Sequence, residues 1–391
     1  MSSSEVITIS KEAVRSFANI QTPFYYYDMD LLRSTVAECS AQAARHGIEV
    51  HYAVKANDQR PIVGQMLSAG FGVDCVSGPE VEFALKLGFA PEKIVFAGVG
   101  KTDAEIILAL KGGIGCFNCE SIPEIEVINA LAGQLGVRAR IAVRVNPDID
   151  ARTHKYISTG QEENKFGIAP GDFPELFGIL RSAINLDFCG IHLHVGSQIT
   201  DMSVFETECR RAAEIVEVFE KKGFAVTDIH LGGGLGVDYS DPDANPVPDF
   251  GAWMGAIARC LPLKAGQRVH IEPGRALVAQ CGSLISRVVF VKKVASQKCV
   301  ILDAGMNDLI RPALYQAHHK IENLTSNGGL LRYDVVGPVC ESSDFWGGKV
   351  LLPATSRGDL FAIRSAGAYG QVMAMRYNRR PFAEAYYSDQ L

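Results

Sequence analysis

The stretch VHYAVKANDQRPIVGQMLSAGFGVDCVS, residues 50–77, contains the pattern that decides the fold. It opens with a short apolar run, VHYAVKA (50–56), and closes with another, GVDCVS (72–77), with a longer segment between them. Short runs that are apolar on both faces are typical of parallel strands, because helices cover both sides of a parallel sheet. The stretch therefore predicts a strand, a helix and a second strand.

The same alternation continues along the chain. The further apolar runs are KIVFAG (93–98), GCFNCES (115–121), ARIAVRVN (139–146), FCGIHLHVG (188–196), DIHLGGG (228–234) and RVHIEPGR (268–275). Helical patterns separate them, and one of these begins with the capping-box pair Ser121 and Glu124. Eight strands with helices between them predict an α/β fold with a (β/α)8 barrel, which we place at 31–275. An open doubly wound sheet is the alternative, but its G-x-G-x-x-G motif does not follow the first strand.

The sequence changes in character after Arg275. Strand-like runs follow with few helical patterns between them: LISRVVFVKKVA (284–295), CVILDAG (299–305), YDVVGPVC (333–340) and DLFAIRSAG (359–367). We therefore predict a mainly β domain over 276–391. The aromatic run TPFYYYDMD (22–30) is also strand-like, so we expect residues 1–30 to add a strand to that domain.

Composition excludes several classes of function. A net charge of -6 provides no basic surface for nucleic acid, and no apolar run reaches the roughly 20 residues of a membrane span. The amino terminus lacks a secretory pattern and the ten cysteines lack framework spacing, so we expect a cytoplasmic protein. One C-x-x-C pair, Cys116 and Cys119, lies in an apolar run rather than at a helix start, which favours a structural over a redox role.

Lys55 lies at the carboxyl end of the first predicted strand, where barrel enzymes carry their functional residues. Partial burial lowers the pKa of an amine and makes it nucleophilic, so such a lysine can hold an aldehyde as a Schiff base. A structural lysine that extends its amine towards solvent fits the segment equally well.

Three further groups end predicted strands. The turn Gly232–Gly234 lets backbone N–H groups approach an anion, although an ordinary tight turn has the same sequence. Glu272 can face the ring nitrogen of a cofactor or form a structural ion pair with Arg275. Alternation along a strand puts His192 and His194 on one face. No third and fourth ligands accompany them at a telling spacing, so we expect no metal, and a histidine stacked on a cofactor ring fits better.

Taken together, the motifs resemble one family. The segments that carry the resemblance are YAVKAN (52–57), HLHVGSQI (192–199), LGGGLGVDY (231–239), EPGR (272–275), DAGMNDLIRPALY (303–315), VGPVCESSD (336–344) and SAGAYG (365–370). In this order they are similar to the alanine-racemase-like (fold type III) pyridoxal-phosphate decarboxylases, and among these to the diaminopimelate decarboxylase family. The resemblance covers roughly residues 22–377. It implies a barrel that binds pyridoxal 5'-phosphate, followed by a β domain.

The resemblance also implies a set of cofactor-binding residues. Lys55 would form the Schiff base, with Asp74 near it, and Glu272 would pair with the pyridine nitrogen. The other implied residues are His194 stacked on the ring, Ser197, Gly232, Gly233, Gly234, Gly274 and Arg275 around the phosphate, and Tyr369 beside the cofactor.

The activity that the resemblance implies is decarboxylation of meso-diaminopimelate to L-lysine and carbon dioxide, the last step of lysine biosynthesis. The implied substrate-binding residues are Arg275, Arg311, Tyr315, Glu341 and Tyr369. Cys340 would be the catalytic proton donor, although a buried structural cysteine is the alternative. Cys340 and Glu341 would reach into the partner's site, which implies a homodimer with shared active sites.

Two alternative functions remain at this point. One is a related decarboxylase that acts on ornithine, arginine or a carboxypolyamine, whose substrates lack a distal amino-acid head. The other is a non-enzymatic protein that binds pyridoxal phosphate, which the presence of Lys55, Cys340 and a second domain argues against. The sequence departs from the family pattern at Ala276, where serine is expected, and at Arg376, which could influence the choice of substrate. The segment 151–168 is long for a barrel loop, and we predict that it acts as a lid.

Overall fold

The computed structural model describes residues 9–147, 149, 165–294 and 297–391, and these form two compact units. The barrel unit comprises Val36–Gly236 and Asp249–Gly274. The β unit comprises Arg275–Leu391, Val237–Pro248 and the described residues up to Thr35. The expected division, with a barrel over 31–275, assigns the excursion Val237–Pro248 to the barrel. In the structure it groups with the β unit, where its Asp243 pairs with Lys320 and Arg364.

Strands and helices alternate along the barrel, and strands predominate after it. The strands are β1 (Phe24–Tyr27), β2 (Ile48–Ala53), β3 (Gly72–Cys75), β4 (Ile94–Phe96), β5 (Cys116–Cys119), β6 (Ala139–Arg144), β7 (Leu186–His192), β8 (Asp228–His230), β9 (Arg268–Ile271), β10 (Gly282–Val294), β11 (Gln297–Leu302), β12 (Ile321–Asn323), β13 (Leu330–Val336), β14 (Phe345–Pro353), β15 (Leu360–Ile363) and β16 (Glu384–Tyr387). The helices are α1 (Lys11–Phe17), α2 (Met29–His46), α3 (Arg60–Ser68), α4 (Gly78–Leu87), α5 (Asp103–Gly112), α6 (Ile122–Leu135), α7 (Phe173–Ser182), α8 (Met202–Lys221), α9 (Phe250–Cys260), α10 (Arg275–Val278) and α11 (Arg311–Tyr315).

Strands β2 to β9 form a closed barrel in which each strand pairs in parallel with its neighbours in sequence, and β9 pairs with β2. Most of their residues are buried, as expected for strands with side chains inside the barrel on one face and helices on the other. The prediction of a (β/α)8 barrel is therefore confirmed, and the open sheet is excluded.

Local sequence determines where the barrel helices begin. Thr102 caps α5 with a complete capping box, in which its side chain accepts from the Glu105 N–H and the Glu105 carboxylate accepts from the Thr102 N–H. The capping box expected at Ser121 forms only in half. Ser121 accepts from the Glu124 N–H, but the Glu124 carboxylate accepts from the N–H of Glu120. It also pairs with buried Lys101, which outweighs the local cap.

The β unit contains a sheet with the strand order β12-β15-β10-β11-β13-β14, and β1 joins it between β10 and β16. Phe24 and Tyr26 of β1 pack with Phe17 and Ile285 in an apolar core within this unit. The prediction of a mainly β domain after the barrel is confirmed. In the part of the chain that the structure describes, no helix is long and apolar enough to cross a membrane.

Two strand ends differ from the prediction. Strand β2 ends at Ala53, so Lys55 lies in a 3-10 turn, Val54–Ala56, and not in the strand itself. Strand β7 ends at His192, so His194 lies beyond the strand and the alternation that put both histidines on one face does not apply. Of the predicted lid at 151–168, residues 151–164 lie outside the described residues.

Candidate active site

The carboxyl ends of the barrel strands bring Lys55 and Asp74 together. The Lys55 amine lies 3.5 Å from Asp74 Oδ2, and Asp74, in β3, is only 1% exposed. Burial and the nearby Glu272 raise the pKa of Asp74 to about 8, while Lys55 opposes the shift. The pKa of Asp74 therefore depends on the charge of the Lys55 amine. The pair is suited to orienting an amine that is free in one state and bonded to an aldehyde in another.

Glu272 follows β9 and is buried at the same end of the barrel. Its carboxylate lies 3.1 Å from His192 Nε2 and 3.5 Å from His230 Nδ1, and Asn118 Nδ2 donates to it at 3.3 Å. Burial by itself would raise the pKa of Glu272, but the two histidines outweigh it and hold the pKa well below the ordinary value. Glu272 is therefore a buried carboxylate that stays ionised. Reasoning from the sequence identified Glu272 but missed His230 and Asn118 as its partners.

His194 is neutral at physiological pH, because desolvation and the Arg144 and Lys55 cations hold its pKa well below the ordinary value. The Gly233 N–H donates to His194 Nδ1 at 3.3 Å, which leaves the ring proton on Nε2. Ser197 follows in the same connection between β7 and α8 and is partly buried.

The glycine turn after β8 is required by close packing. A Cβ on Gly233 would lie 2.3 Å from the backbone oxygen of Glu272, and one on Gly232 would lie 2.4 Å from His194 Nδ1. Gly234 has a φ of +109°, which side chains rarely adopt. A Cβ on Gly274 would also be crowded, 3.0 Å from Ala56. The turn thus brings the backbone of β8 against two of the predicted site residues.

The β unit contains a second polar cluster, formed by Arg275, Arg311 and tyrosines. Arg275 Nη1 donates to the Tyr239 hydroxyl at 2.6 Å, and its guanidinium carbon lies 4.9 Å from the centre of the Tyr369 ring. The guanidinium carbon of Arg311 lies 4.6 Å from the centre of the Tyr239 ring. Both arginines are buried, and Tyr315 ends the short helix that Arg311 begins.

The Nε–H donor of Arg311 is unsatisfied among the described residues. Its Nη1 donates to His319 Nε2 at 2.8 Å, whereas its buried Nε has no hydrogen-bond partner among the described residues. Desolvation lowers the pKa of Arg311, and the like charge of Arg275 lowers it further. Two buried guanidinium groups with a donor still to be satisfied have the charge and the hydrogen-bond donors that suit a carboxylate. Sequence reasoning identified both arginines but missed Tyr239, which the LGGGLGVDY motif contains, and His319.

Tyr369 adopts a left-handed backbone conformation, with φ +55°. Such a conformation is unfavourable for a residue with a side chain and is found disproportionately at functional sites. The following Gly370 cannot be replaced without a clash, since its Cβ would lie 2.4 Å from the Ala366 carbonyl oxygen. Packing therefore fixes the backbone that orients the Tyr369 ring.

Cys340 and Glu341 lie in the connection between β13 and β14. Two backbone N–H groups, of Met306 and Val339, donate to the Asp344 carboxylate and shape this connection. Cys340 is the exposed one of the ten cysteines, all of which lie in the described ranges, so the buried structural role does not apply. The exposed Glu341 carboxylate accepts a hydrogen bond from the Tyr377 hydroxyl.

The predicted site residues thus lie in three places in the described chain, one in the barrel unit and two in the β unit. Lys55, Asp74, His194 and Glu272 lie at the carboxyl end of the barrel with the glycine turn, and Arg275, Arg311 and Tyr369 share one cluster in the β unit. Cys340 and Glu341 stand on a separate connection in the β unit.

Comparison with known proteins gives a consistent assignment. Residues 32–279 match the family described as pyridoxal-dependent decarboxylase, pyridoxal binding domain. The chain is 50% identical over 379 residues to diaminopimelate decarboxylase of Bacteroides thetaiotaomicron, covering 97% of this chain and 98% of that protein. It is 44% identical to the diaminopimelate decarboxylase of Neisseria meningitidis serogroup A, covering 92% and 87%.

Solved structures agree with these relatives. The crystal structure of diaminopimelate decarboxylase from Helicobacter pylori complexed with L-lysine matches with a TM-score of 0.89 and 38% sequence identity, covering 95% of this chain and 93% of that chain. The motif order, the barrel and the full-length relatives all lead to one assignment. The chain belongs to the diaminopimelate decarboxylases, within the family of pyridoxal-dependent decarboxylases.

Proposed function

We propose that this protein decarboxylates meso-diaminopimelate to L-lysine and carbon dioxide, with pyridoxal 5'-phosphate as its cofactor, as the last step of lysine biosynthesis. The observation that carries the choice of substrate is the buried pair Arg275 and Arg311, with the unpartnered Nε of Arg311. A distal carboxylate distinguishes diaminopimelate from ornithine, arginine and the carboxypolyamines. Two guanidinium groups would have no such partner on those alternative substrates.

The barrel residues fit pyridoxal phosphate. When bound, this cofactor supplies an electron sink for the electron pair that the departing carboxylate leaves behind. A sink of this kind needs an anion that holds a proton on the pyridine nitrogen, and Glu272 stays ionised for that purpose because His192 and His230 stabilise it. Lys55 provides the amine that holds the cofactor aldehyde, and Asp74 orients that amine.

The remaining cofactor contacts are proposed from the same residues. His194, neutral and fixed by the Gly233 N–H, would stack on the ring. Tyr369 would contact the bound cofactor. The groups that would bind the phosphate are Ser197, Gly233, Gly234, Gly274 and Arg275. Glycine at these positions suits an anion because the backbone N–H groups are not shielded by side chains.

Substrate binding and proton transfer are proposed for the β unit. Arg311 and Arg275 bind carboxylate oxygens, Tyr315 donates a hydrogen bond, and Glu341 accepts from the distal ammonium group. The Cys340 thiol donates the proton that replaces the lost carboxylate, which its exposure makes feasible. We further propose that Cys340 and Glu341 serve the active site of the partner in a homodimer, and that the enzyme is cytoplasmic.

The test measures carbon dioxide release with pyridoxal phosphate from meso-diaminopimelate, L-ornithine and L-arginine side by side, together with lysine formation. We expect release from meso-diaminopimelate alone. The Lys55→Ala variant should lose turnover, while Lys86→Ala, which removes an exposed lysine paired with Glu82 on α4, should retain it. Release from ornithine or arginine would overturn the substrate, and full turnover by Lys55→Ala would overturn the role of that lysine.

A further inference from the structure

The amino-terminal end of the barrel holds a polar cluster that the proposed reaction does not use. A cavity of about 410 Å³ lies there, and Glu49, His51, Asp228 and His270 are among the residues that line it. Glu49 and Asp228 belong to the first residues of β2 and β8, at the end of the strands opposite to Lys55 and Glu272.

Three ligand atoms converge in this cavity. His51 Nε2 lies 3.2 Å from His270 Nδ1, and Glu49 Oε2 lies 3.6 Å from the same His270 nitrogen. All three residues offer ligand atoms within 4.8 Å of one another. Tetrahedral zinc with bonds of about 2.0–2.1 Å places its ligand atoms about 3.3 Å apart. The observed separations therefore approach the edges of a zinc coordination tetrahedron before any metal is bound.

The positions of the ring protons decide whether these nitrogens can bind a metal together. His270 Nε2 lies 2.9 Å from Asp228 Oδ1, so that nitrogen carries the proton and Nδ1 presents its lone pair. In the metal-free protein, His51 Nε2 lies within hydrogen-bond distance of that lone pair and can donate to it. His51 Nδ1 has no hydrogen-bond partner among the described residues, and with the proton on Nδ1 the Nε2 atom becomes a second ligand beside His270 Nδ1.

The surroundings are those of a metal-binding histidine. The second nitrogen of His270, Nε2, donates a hydrogen bond to the carboxylate of Asp228. Arg140 and Arg268 also donate hydrogen bonds to this carboxylate. A carboxylate of this kind orients a ligating imidazole and raises its basicity. The charged groups that line the cavity balance, with three acidic and three basic side chains: Glu49, Glu92, Asp228, Lys93, Arg140 and Arg268. The lining therefore has no net positive charge to repel a cation.

We propose that Glu49, His51 and His270 form a binding site for a divalent transition metal, with Zn²⁺ the best match, and that the fourth coordination position holds water from the cavity. Two imidazoles and one carboxylate suit zinc, whereas calcium and magnesium prefer oxygen ligands throughout. Sequence patterns do not reveal such a site, because the two histidines are 219 positions apart.

The test is metal binding by the pyridoxal-phosphate-loaded enzyme, first freed of metal by chelation and dialysis. We expect one equivalent of Co²⁺ per chain with the visible absorption of tetrahedral cobalt, and displacement by Zn²⁺. Glu49→Gln should weaken binding at least about tenfold, since the ligand loses its charge. Glu92→Gln is the matched control, because it removes an exposed carboxylate from the same cavity and should leave affinity unchanged.

X-ray absorption of the zinc-loaded wild-type enzyme tests the site without any variant. We expect nitrogen and oxygen neighbours at about 2.0–2.1 Å and no sulfur at about 2.3 Å, which separates this site from binding at the exposed Cys340 thiol. The proposal is overturned by absent uptake, by equal affinity in Glu49→Gln, or by a sulfur neighbour. Glu49 has a side chain that is 49% exposed, so its replacement is expected to leave the fold and the cofactor content intact.

Discussion

Replacing Arg311 by methionine tests whether the buried arginine pair selects the substrate. The unpartnered Nε and a neighbouring N–H of Arg311 can donate two bonds to one substrate carboxylate. Hydrogen bonds to charged groups contribute about 1.5–3 kcal/mol each, so losing both removes about 3–6 kcal/mol. This predicts a fall in kcat/KM for meso-diaminopimelate of about 10²- to 10⁴-fold. The distal carboxylate is remote from the bond that breaks, so most of the change should lie in KM.

The same variant should leave the fold nearly unchanged. Removing the Arg311 charge relieves its desolvation and its repulsion by Arg275, but deprives His319 Nε2 of its donor. These effects oppose one another, and we expect the free energy of unfolding to change by less than about 2 kcal/mol. Arg364→Met is the control, because Arg364 is paired with Asp243 and Glu322. Its loss should destabilise the fold by about 3–5 kcal/mol without changing substrate preference.

The assay compares meso-diaminopimelate with D-lysine, which lacks the distal carboxylate, in the wild-type enzyme and in Arg311→Met. We expect the variant to lose its preference for diaminopimelate, with kcat/KM for D-lysine equal in the two proteins. An unchanged KM for diaminopimelate, or an equal loss on both substrates, would refute the assignment of Arg311 to the distal carboxylate.

Three further predictions concern other parts of the site. The pKa of Asp74 is raised to about 8 from an ordinary 3.8, so between these values the folded chain binds a proton that the unfolded chain releases. The protonated Asp74 therefore contributes stability that is fully present below about pH 4 and is lost as the pH rises through 8. In the cofactor-free Asp74→Asn protein, the free energy of unfolding should lack this decline, which amounts to at most about 1.4 kcal/mol per pH unit. Urea midpoints that run parallel for the two proteins from pH 5 to 8.5 would contradict the prediction. Cys340→Ala should lower kcat about 10²- to 10⁴-fold with an unchanged melting temperature, and a kcat within twofold of wild type would exclude Cys340 as the proton donor. Gly233→Ala should destabilise the fold by at least about 2 kcal/mol and release the cofactor, because its Cβ would lie 2.3 Å from the Glu272 carbonyl oxygen. Gly178→Ala, in open space on α7, should be neutral or stabilising by urea denaturation, and equal effects of the two changes would count against the packing argument.

The sequence predicts the barrel well because its strands are buried on both faces and therefore appear as uninterrupted apolar runs. Strands that lie partly in solvent carry a weaker pattern, and β12, β14 and β16 of the β unit were not predicted for that reason. The ends of strands are harder to predict from sequence than the strands themselves. The backbone leaves the β conformation at Ala53 and at His192, and this change moved Lys55 into a turn and separated His194 from His192.

The site residues that were missed are those whose role depends on contacts between distant segments. His230 and Asn118 contact the Glu272 carboxylate, from strands β8 and β5, and nothing in their local sequence indicates that. His319 likewise supports Arg311 and lies in no quoted motif. Lys55, Glu272 and Arg275 could be predicted because charged residues at the end of apolar runs are unusual. Arg311 was predicted only from the order of motifs in the resemblance.

The excursion Val237–Pro248 has a consequence for how such enzymes evolve. A gene segment ending at Gly274 encodes all eight barrel strands, but it leaves Tyr239 without Arg275 and Asp243 without Lys320 and Arg364. A single crossover between two relatives at the apparent domain boundary would therefore combine the excursion of one parent with the sheet of the other. Mismatched partners there would be selected against, so the two units are expected to be inherited together and to resist exchange as separate modules.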